Sequence, residues 1–202
     1  MTGREVFGPP PGGWMTPPGE WTFHDALVRI RPIREDDERE HCAAVNESWR
    51  ELAPWLEWAH EDYLPEESAA WIGGVTRPAD VPAELAFAVE ERATGRFAGV
   101  VGINDFRPAI RTANLGYWIR TSMAGRGLMS AAVRLLVPCA FTRVRLARLE
   151  ILMEPANTAS RRVAEKAGAV FEGTLRSRIT IHATRRDVHL YSILPADVTG
   201  GG

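Results

Sequence analysis

A glycine-containing segment that leads into a predicted helix is the first candidate for chemistry in the sequence. Residues 123–132 read MAGRGLMSAA, follow a predicted strand and continue into an apolar helical pattern. Gly125 and Gly127 would let the backbone approach a ligand closely and would expose the amides of the first helical turn. Those amides and the helix dipole favour a phosphate or pyrophosphate, with Arg126 as a cation at the rim. A glycine turn that only starts a helix explains the same residues equally well.

Two other phosphate-binding motifs fit this segment poorly. The run from Gly125 to Ser130 nearly matches the dinucleotide fingerprint GxGxxG. That fingerprint normally follows a fully buried first strand, whereas the preceding segment NLGYWIR lies mid-chain and alternates. A P-loop is excluded because no GK[ST] follows. A nucleotide-dependent oxidoreductase is therefore the weakest enzyme hypothesis.

The second candidate follows the apolar strand LEILM, where Asn157 and Ser160 lie three residues apart. Asn157 is placed to cap the next helix, and the spacing puts both side chains on one face. An asparagine can bond an amide-bearing ligand arm, and a serine hydroxyl can protonate a leaving thiolate. Helix capping alone would also explain the pair, and the two roles are compatible.

Composition limits the class of protein. The chain has 202 residues, a formal net charge of −2, 45% hydrophobic residues and 25% charged residues, as expected of a globular domain without broad nucleic-acid binding. It has neither an apolar run of the ~18 residues that a membrane helix needs nor the pattern of a signal peptide. Cys42 and Cys139 lie in apolar helical contexts, and the histidines lack metal-ligand spacing. We therefore expect free buried thiols, no metal and a cytoplasmic protein.

The chain divides into one domain and two ends. Residues 1–20 hold five prolines and five glycines and predict an N-terminal arm, residues 21–194 form a single domain, and residues 195–202 predict a flexible tail. The pattern predicts an α/β (α+β) protein with a mixed sheet. Predicted strands are 27–31, 84–91, 96–103, 112–120, 149–153, 170–175 and 188–194, and predicted helices are 35–48, 66–75, 128–141 and 158–167.

The ordered set of these segments resembles the GNAT acyl-CoA-dependent N-acetyltransferases. The closer likeness is to the RimJ/RimL branch, which acetylates the N-termini of ribosomal proteins. The likeness is carried by VRIRPIREDD, NESWRELAPWLEW, FAGVVGI, LGYWIR, AGRGLMSAAV, NTASRRVAEKAGAVFEGTLR and RDVHLYSIL, in order over about residues 28–194. It implies the GNAT fold, a mixed and mostly antiparallel seven-stranded sheet with helices on both faces.

The resemblance also implies where the parts act. Acetyl-CoA would be the co-substrate and would lie between the strands at 113–120 and 149–153. The amides of residues 124–129 would hold its pyrophosphate, and Ser160 would protonate the leaving thiolate. The amine would attack the thioester directly, without an acyl-enzyme. The implied cofactor-binding residues are Trp118, Ile119, Thr121, Ala124, Gly125, Arg126, Gly127, Leu128, Met129, Asn157 and Ser160.

Two departures from the family pattern affect the expected chemistry. Ala124 stands where the family usually has Gln or Arg, and Met129 where it usually has Gly or Ala. Because backbone amides hold the pyrophosphate, binding should survive both changes. Asn114 stands where this branch often has a glutamate that acts as base, and an amide accepts no proton near neutral pH.

The catalytic base is therefore left open. Asp105, just after the strand at 96–103, is the first choice, and Glu84, Glu90 or a water chain are alternatives. Each of these carboxylates, taken alone, is more typical of a solvated hairpin.

Aromatic and acidic residues alternate in the region 49–71. They are Trp49, Trp55, Trp58 and Trp71, with Glu57, Glu61, Asp62, Glu66 and Glu67 between them. The tryptophans are more typical of a core. The carboxylates fit either a solvated face or an acidic rim that attracts a cationic amine.

The leading hypothesis is acetyl transfer to a primary amine, above all a protein N-terminus. The alternatives are a small-molecule amine acetyltransferase and a non-catalytic acyl-CoA-binding module. We expect acetyl-CoA and an amine as partners, no metal, and neither membrane nor direct nucleic-acid contact. Relatives often dimerise, which leaves a homodimer open.

Overall fold

A mixed sheet carries the structure. The computed structural model describes residues 21–77 and 84–199, so the predicted N-terminal arm lies outside the described residues. The strands are β1 (Phe23–His24), β2 (Val28–Pro32), β3 (Glu84–Glu91), β4 (Phe97–Arg107), β5 (Thr112–Ile119), β6 (Arg148–Met153), β7 (Val170–Ile181) and β8 (Thr184–Ile193). The helices are α1 (Glu38–Leu52), α2 (Pro65–Thr76), α3 (Leu128–Thr142), α4 (Thr158–Lys166) and α5 (Pro195–Thr199).

The sheet order is β1-β2-β3-β4-β5-β6-β8-β7. Every neighbouring pair is antiparallel except β5 and β6, which run parallel. This confirms the mixed, mostly antiparallel sheet. The predicted count of seven strands was one too low, because β1 has two residues and leaves no alternating pattern in the sequence.

Helices cover both faces of the sheet, as predicted. On one face α3 and α4 pack over a core that includes Phe87 of β3. On the other face α1 and α2 pack over a second core that includes Ala86 and Ala88 of the same strand. Successive strand residues point to opposite faces, so β3 is apolar throughout and contributes to both cores.

The last hairpin differs from its prediction. β7 and β8 are joined by a tight turn at His182 and Ala183, both with positive φ (47° and 57°), instead of the long connection that was predicted. Positive φ at both central residues is the geometry of a type I′ turn, which the sequence did not signal because neither residue is Gly, Asn or Asp. The hairpin therefore projects several residues further than expected.

The tail prediction needs correction over its first residues. Pro195–Thr199 form the short helix α5, and the Leu194 amide donates a 2.8 Å hydrogen bond to the Asp197 carboxylate. This side-chain cap stabilises the first turn. Residues 200–202 lie outside the described residues.

The parallel pair β5–β6 holds together over a short stretch. Thr112, Ala113 and Asn114 pair with Arg148, Leu149 and Glu150. Beyond this point β5 stays paired with β4, and β6 stays paired with β8. A gap therefore opens between the two strands toward their carboxyl ends.

Candidate active site

The gap between β5 and β6 is a cleft of about 470 Å³. Its walls are residues 115–119 of β5 and residues 151–154 at the end of β6, and Ile179 and Ile181 of β7 close one side. Of the predicted cofactor-binding residues, the cleft is lined by Trp118, Ile119, Thr121, Ala124, Met129, Asn157 and Ser160. The sequence missed the two isoleucines, because it predicted β7 to end before them.

The loop before α3 has the predicted glycine geometry. Gly125 and Gly127 have φ of +75° and +80°, and a Cβ on either would meet nothing within 4 Å. The left-handed backbone conformation, and not a lack of space, favours glycine here, since a residue with a side chain in this conformation costs roughly 1–2 kcal/mol. Leu128 and Met129 bury their side chains in the core. In this first turn of α3 the backbone amides lack intrahelical acceptors and are the groups available to an anion.

Helix α1 anchors the start of this loop. The Thr121 amide donates to the Ser48 hydroxyl at 2.9 Å, and the Ser122 amide donates to the Glu47 carboxylate at 2.9 Å. The Thr121 hydroxyl donates to Glu51 at 3.2 Å. These contacts join the residues that follow β5 to α1 and so hold the start of the loop that leads from β5 to α3.

Arg126 has a partner within the protein. Its guanidinium donates a short hydrogen bond to the buried carboxylate of Glu91 at the end of β3. The Thr94 hydroxyl donates to the same carboxylate at 2.6 Å. The hydrogen bond from Thr94, together with Arg126, lowers the pKa of Glu91. Half of the Arg126 side chain is exposed, so the cation still stands beside the loop.

Asn157 and Ser160 meet as the spacing predicts. The Asn157 Oδ1 accepts a 3.0 Å hydrogen bond from the Ser160 amide and caps α4. The Ser160 hydroxyl donates to the Tyr117 hydroxyl at 3.2 Å, and Tyr117 donates to the Ser160 carbonyl at 2.9 Å. Burial raises the pKa of Tyr117 to about 12, so its hydroxyl stays protonated at neutral pH. Sequence reasoning missed Tyr117, which sits in β5 like any alternating strand residue.

A second pocket of about 340 Å³ adjoins the cleft. The two cavities share Leu56, Asn104, Gly116, Tyr117 and Trp118, so they meet across the outer part of β5. The remaining lining of the second pocket is His41, Trp58, Tyr63, Trp71, Glu84 and Val100.

The predicted aromatic and acidic region contributes unequally. Trp58 and Trp71 line the second pocket, and Trp55 lines the cleft. The guanidinium carbon of Arg50 lies over the Trp49 ring, 4.6 Å from the centroid of that ring. The carboxylates line neither pocket: Glu57, Glu61, Asp62 and Glu66 are exposed, and Glu67 bonds His60 at 2.9 Å.

A row of polar residues crosses the sheet below the two pockets. Glu84 pairs with Asn104, Asn104 with Asn114, and Asn114 with Glu150 on successive strands. Directly paired residues place their side chains on the same face. The Asn114 amide group donates to Asn104 Oδ1 at 2.9 Å, whereas the buried Asn114 Oδ1 finds no partner among residues 21–77 and 84–199.

The three candidate bases occupy different surroundings. Asp105 lines neither pocket, and its side chain is 56% exposed, 4.0 Å from Arg107. Glu90 is held by Arg29 and Arg31 at 2.7 Å each. Glu84 faces the second pocket, where burial raises its pKa to about 7 against the opposing effect of a hydrogen bond from Trp71. A carboxyl group with this pKa can accept a proton near neutral pH.

In the part of the chain that the structure describes, no group of three histidine, cysteine, aspartate or glutamate residues could hold a metal ion. Cys42 and Cys139 are buried free cysteines. None of the described helices is long and apolar enough to cross a membrane.

A cleft between parallel strands that part beside a glycine loop is the arrangement that the resemblance to acyl-CoA-dependent acetyltransferases implied. The sequence profile of the acetyltransferase (GNAT) domain matches residues 28–170, and the chain belongs to this family. Within it, the likenesses support the RimJ/RimL branch that the sequence predicted.

Three similar proteins illustrate this placement. The chain is 30% identical over 173 residues to a probable N-acetyltransferase, YjcK, of Bacillus subtilis (strain 168), covering 84% of this chain and 95% of that protein. It is 32% identical over 94 residues to the ribosomal-protein-serine acetyltransferase of Escherichia coli (strain K12), covering 46% of this chain and about half of that protein (52%). The structure of Mycobacterium smegmatis RimJ in complex with CoA-disulfide superposes with a TM-score of 0.73 at 27% identity, covering 84% of this chain and 83% of that one.

The raised pKa of Glu84 predicts a pH-dependent stability difference. Because the folded state holds this proton to about pH 7 instead of 4.5, the wild type loses stability as pH rises between these values. Glu84→Gln removes the charge and hence this loss. We expect the melting temperature of Glu84→Gln, relative to wild type, to increase from pH 4.5 to pH 7 and to level off above it.

Glu66→Gln is the control, because it removes an exposed carboxylate from α2. A melting-temperature difference that grows with pH equally in both variants would contradict the assignment.

Proposed function

We propose that the protein transfers the acetyl group of acetyl-CoA to a primary amine, and that this amine is a protein N-terminus. The observation that carries the proposal is the meeting of two cavities at Gly116, Tyr117 and Trp118. The larger cavity, beside Ser160, would be the donor cleft, and the smaller pocket contains the Glu84 carboxylate. A thioester in the first and an amine in the second would face each other across β5.

The residues present fit acetyl-CoA. Amides of residues 124–129 would hold the pyrophosphate, because the first turn of α3 leaves its amides without intrahelical acceptors. The Ala124 amide at the start of this loop already donates to the Thr121 carbonyl at 3.1 Å, so the later amides would contribute most. Trp118, Ile119 and Thr121 would contact the pantetheine arm along β5. The cap of α4 occupies only Oδ1 of Asn157, which leaves its side-chain amide hydrogens for the same arm. The related RimJ structure contains CoA in disulfide form.

Ser160 would act as the acid that protonates the leaving thiolate. Its hydroxyl donates to Tyr117 and lines the cleft, and rotation of the hydrogen about the Cβ–Oγ bond would let it donate to the thiolate instead. Tyr117 would then hold the serine backbone through its bond to the Ser160 carbonyl. Transfer would be direct, with the amine forming its C–N bond as the C–S bond breaks.

The choice of a protein N-terminus comes from the relatives. One of them acts on a ribosomal-protein serine by its name. A panel of acceptors tests it: a peptide with a free N-terminus, the same peptide N-terminally blocked but containing lysine, and a polyamine, each assayed by release of free thiol. We expect release with the first peptide. Release with the polyamine alone would make the protein a small-molecule acetyltransferase, and release with none would leave an acyl-CoA-binding module. The cytoplasmic location and a homodimer stay predictions.

The pyrophosphate site is tested by Gly127→Glu against Gly127→Ala. Both variants carry the strain of a left-handed residue, so their difference isolates the added carboxylate. We expect the glutamate to weaken CoA binding at least tenfold relative to the alanine, by repulsion of the phosphates, as measured by isothermal titration. Equal affinities would show that the phosphates bind elsewhere.

Ser160→Ala should lower kcat at least tenfold and leave CoA affinity within about twofold, because only the departing thiolate requires the hydroxyl. Tyr117→Phe is the companion variant, since it removes the bond to the serine carbonyl and keeps the ring. We expect a smaller loss of kcat from it. An unchanged kcat in Ser160→Ala would leave Ser160 as a residue of the α4 first turn and nothing more.

A further inference from the structure

We infer that Glu84 binds the acceptor ammonium in the second pocket and takes its proton, and that the acceptor is a cationic amine with no carboxylate on the adjoining carbon. This inference rests on the proposed acetyl transfer. It assigns the base role to Glu84 of β3, in place of Asp105 of β4 and of the family's glutamate, whose position Asn114 occupies.

Two directly paired glycines make room for the Glu84 carboxylate. Gly102 of β4 lies opposite Gly116 of β5. A Cβ on Gly102 would stand 2.4 Å from Glu84 Oε1, so the carboxylate occupies the space that a side chain would fill. A Cβ on Gly116 would stand 3.3 Å from the Asn104 side-chain nitrogen. The carboxylate therefore lies over Gly102 of β4, the strand between its own and β5.

The walls around this carboxylate suit a cation. His41 stacks on Trp71 at 4.7 Å and meets Trp118 edge-on at 5.4 Å, and Trp58 lies 5.9 Å from Trp118. Aromatic faces attract an ammonium, and their exclusion of water strengthens its pairing with a carboxylate. Among residues 21–77 and 84–199, no lysine or arginine side chain lines this pocket to neutralise Glu84. The amine itself would supply the missing charge.

Glu84 is also the group of this pocket that changes charge near neutral pH. The other titratable side chains that face it are His41 from α1, Tyr63 from the segment before α2, and Tyr117 from β5. Burial lowers the pKa of His41 to about 4, raises that of Tyr63 and raises that of Tyr117 to about 12. His41 is therefore a neutral ring, bonded through Nδ1 to Ser68 at 2.8 Å. Glu84 remains as the acceptor for a proton.

Asn114 completes the site as an orienting group. Its Oδ1 is buried in the cleft wall without a partner in the described residues, and its amide is fixed by Asn104. An unpaired buried acceptor destabilises the free protein, and a donor on the ligand would remove this cost. One N–H of the amine would donate to this oxygen while Glu84 takes another proton. The lone pair left by this proton first points at Glu84, and rotation about the C–N bond of the amine would turn it to the thioester.

The proton balance follows from these roles. The ammonium gives one proton to Glu84 and becomes a neutral amine. Its lone pair forms the C–N bond as the C–S bond breaks. The second proton lost by nitrogen replaces the one that Ser160 gives to the thiolate, and the proton on Glu84 leaves to solvent. Each turnover therefore converts an ammonium and a thioester to an amide, a thiol and one released proton.

The same geometry selects against free amino acids. A carboxylate on the carbon next to the amine would enter an apolar pocket that already contains Glu84, and like charges at short range in such a setting repel strongly. A peptide N-terminus carries an amide at that position and avoids the repulsion. A peptide and the matching free amino acid therefore form a direct test of the substrate class.

The experiment measures kcat/KM against pH for wild type and Glu84→Gln with a free-N-terminus peptide, together with CoA affinity. For wild type we expect a rising limb near pH 7, where Glu84 ionises. For Glu84→Gln we expect kcat/KM at pH 7 to fall by about 100-fold, as for loss of a general base. Its limb should move to the amine's own pKa of about 8, since only amine that is already neutral can react. CoA affinity should stay within twofold, and the free amino acid should be a poor acceptor for wild type.

Unlike outcomes separate the inference from the proposed function. Absence of thiol release by wild type with every amine would overturn the proposed function itself. Activity in wild type with an unchanged profile in Glu84→Gln would overturn the inference alone. The inference would also be overturned if the rising limb of the kcat/KM–pH profile moved in Asp105→Asn and not in Glu84→Gln. A kcat/KM for the free amino acid equal to that for the peptide would overturn it too. If Glu84→Gln fails to fold, Glu84→Asp replaces it: we expect a lower kcat/KM with the limb near pH 7 retained, and wild-type kcat/KM would refute the role.

Discussion

The parting of β5 from β6 after Asn114 and Glu150 is the constraint on which the rest of the structure depends. Each strand keeps its other neighbour, so neither frays: β5 pairs with β4 as far as Ile119, and β6 pairs with β8 as far as Met153. Backbone groups on the facing edges are left without strand partners in a largely buried setting, which is costly unless a ligand satisfies them. An extended, amide-bearing arm can do so. The proposed donor site thus lies where β5 and β6 no longer pair. Glu150 is the last residue of β6 that pairs with β5, and Arg107 at 2.5 Å and Arg148 at 2.9 Å hold its carboxylate.

The second pocket follows a different principle, because Glu84 is partly buried there without an arginine or lysine partner among the described residues. Elsewhere in the sheet buried carboxylates are paired with arginine, as Glu90 is with Arg29 and Arg31. Glu84 lies on the same strand with an indole hydrogen bond and aromatic neighbours instead. Desolvation destabilises its charged form, and a structural role would gain nothing from that cost. A cationic substrate would favour the charged form of Glu84, because its ammonium would pair with a carboxylate that water screens poorly.

The sequence predicted the donor side better than the acceptor side for a physical reason. The glycine loop and the Asn157–Ser160 pair are local: their geometry is fixed within one turn of helix, so spacing alone places them. Tyr117, His41 and Glu84 come from separate elements and share a pocket only through strand register and helix packing. Register also creates the row Glu84–Asn104–Asn114, in which residues distant in sequence become neighbours. The strand at 84–91 was predicted with its observed bounds, yet its alternation does not say which neighbour each residue will face.

The same row gives a physical reason for asparagine at position 114. The resemblance implies a glutamate there in many relatives, but here that position pairs directly with Glu150 and stands one strand from Asn104 and two from Glu84. A carboxylate at position 114 would stand beside Glu150, which Arg107 and Arg148 hold, and two strands from Glu84, whose pKa its repulsion would raise further. An asparagine avoids this repulsion and still offers an acceptor oxygen to the amine. In the proposed arrangement, Glu84 of β3 supplies the negative charge and Asn114 of β5 orients the amine, two roles that a single glutamate at position 114 would combine. The paired glycines Gly102 and Gly116 carry no side chain on this face, which leaves room for the Glu84 carboxylate over β4 and for the Asn104 side chain over β5.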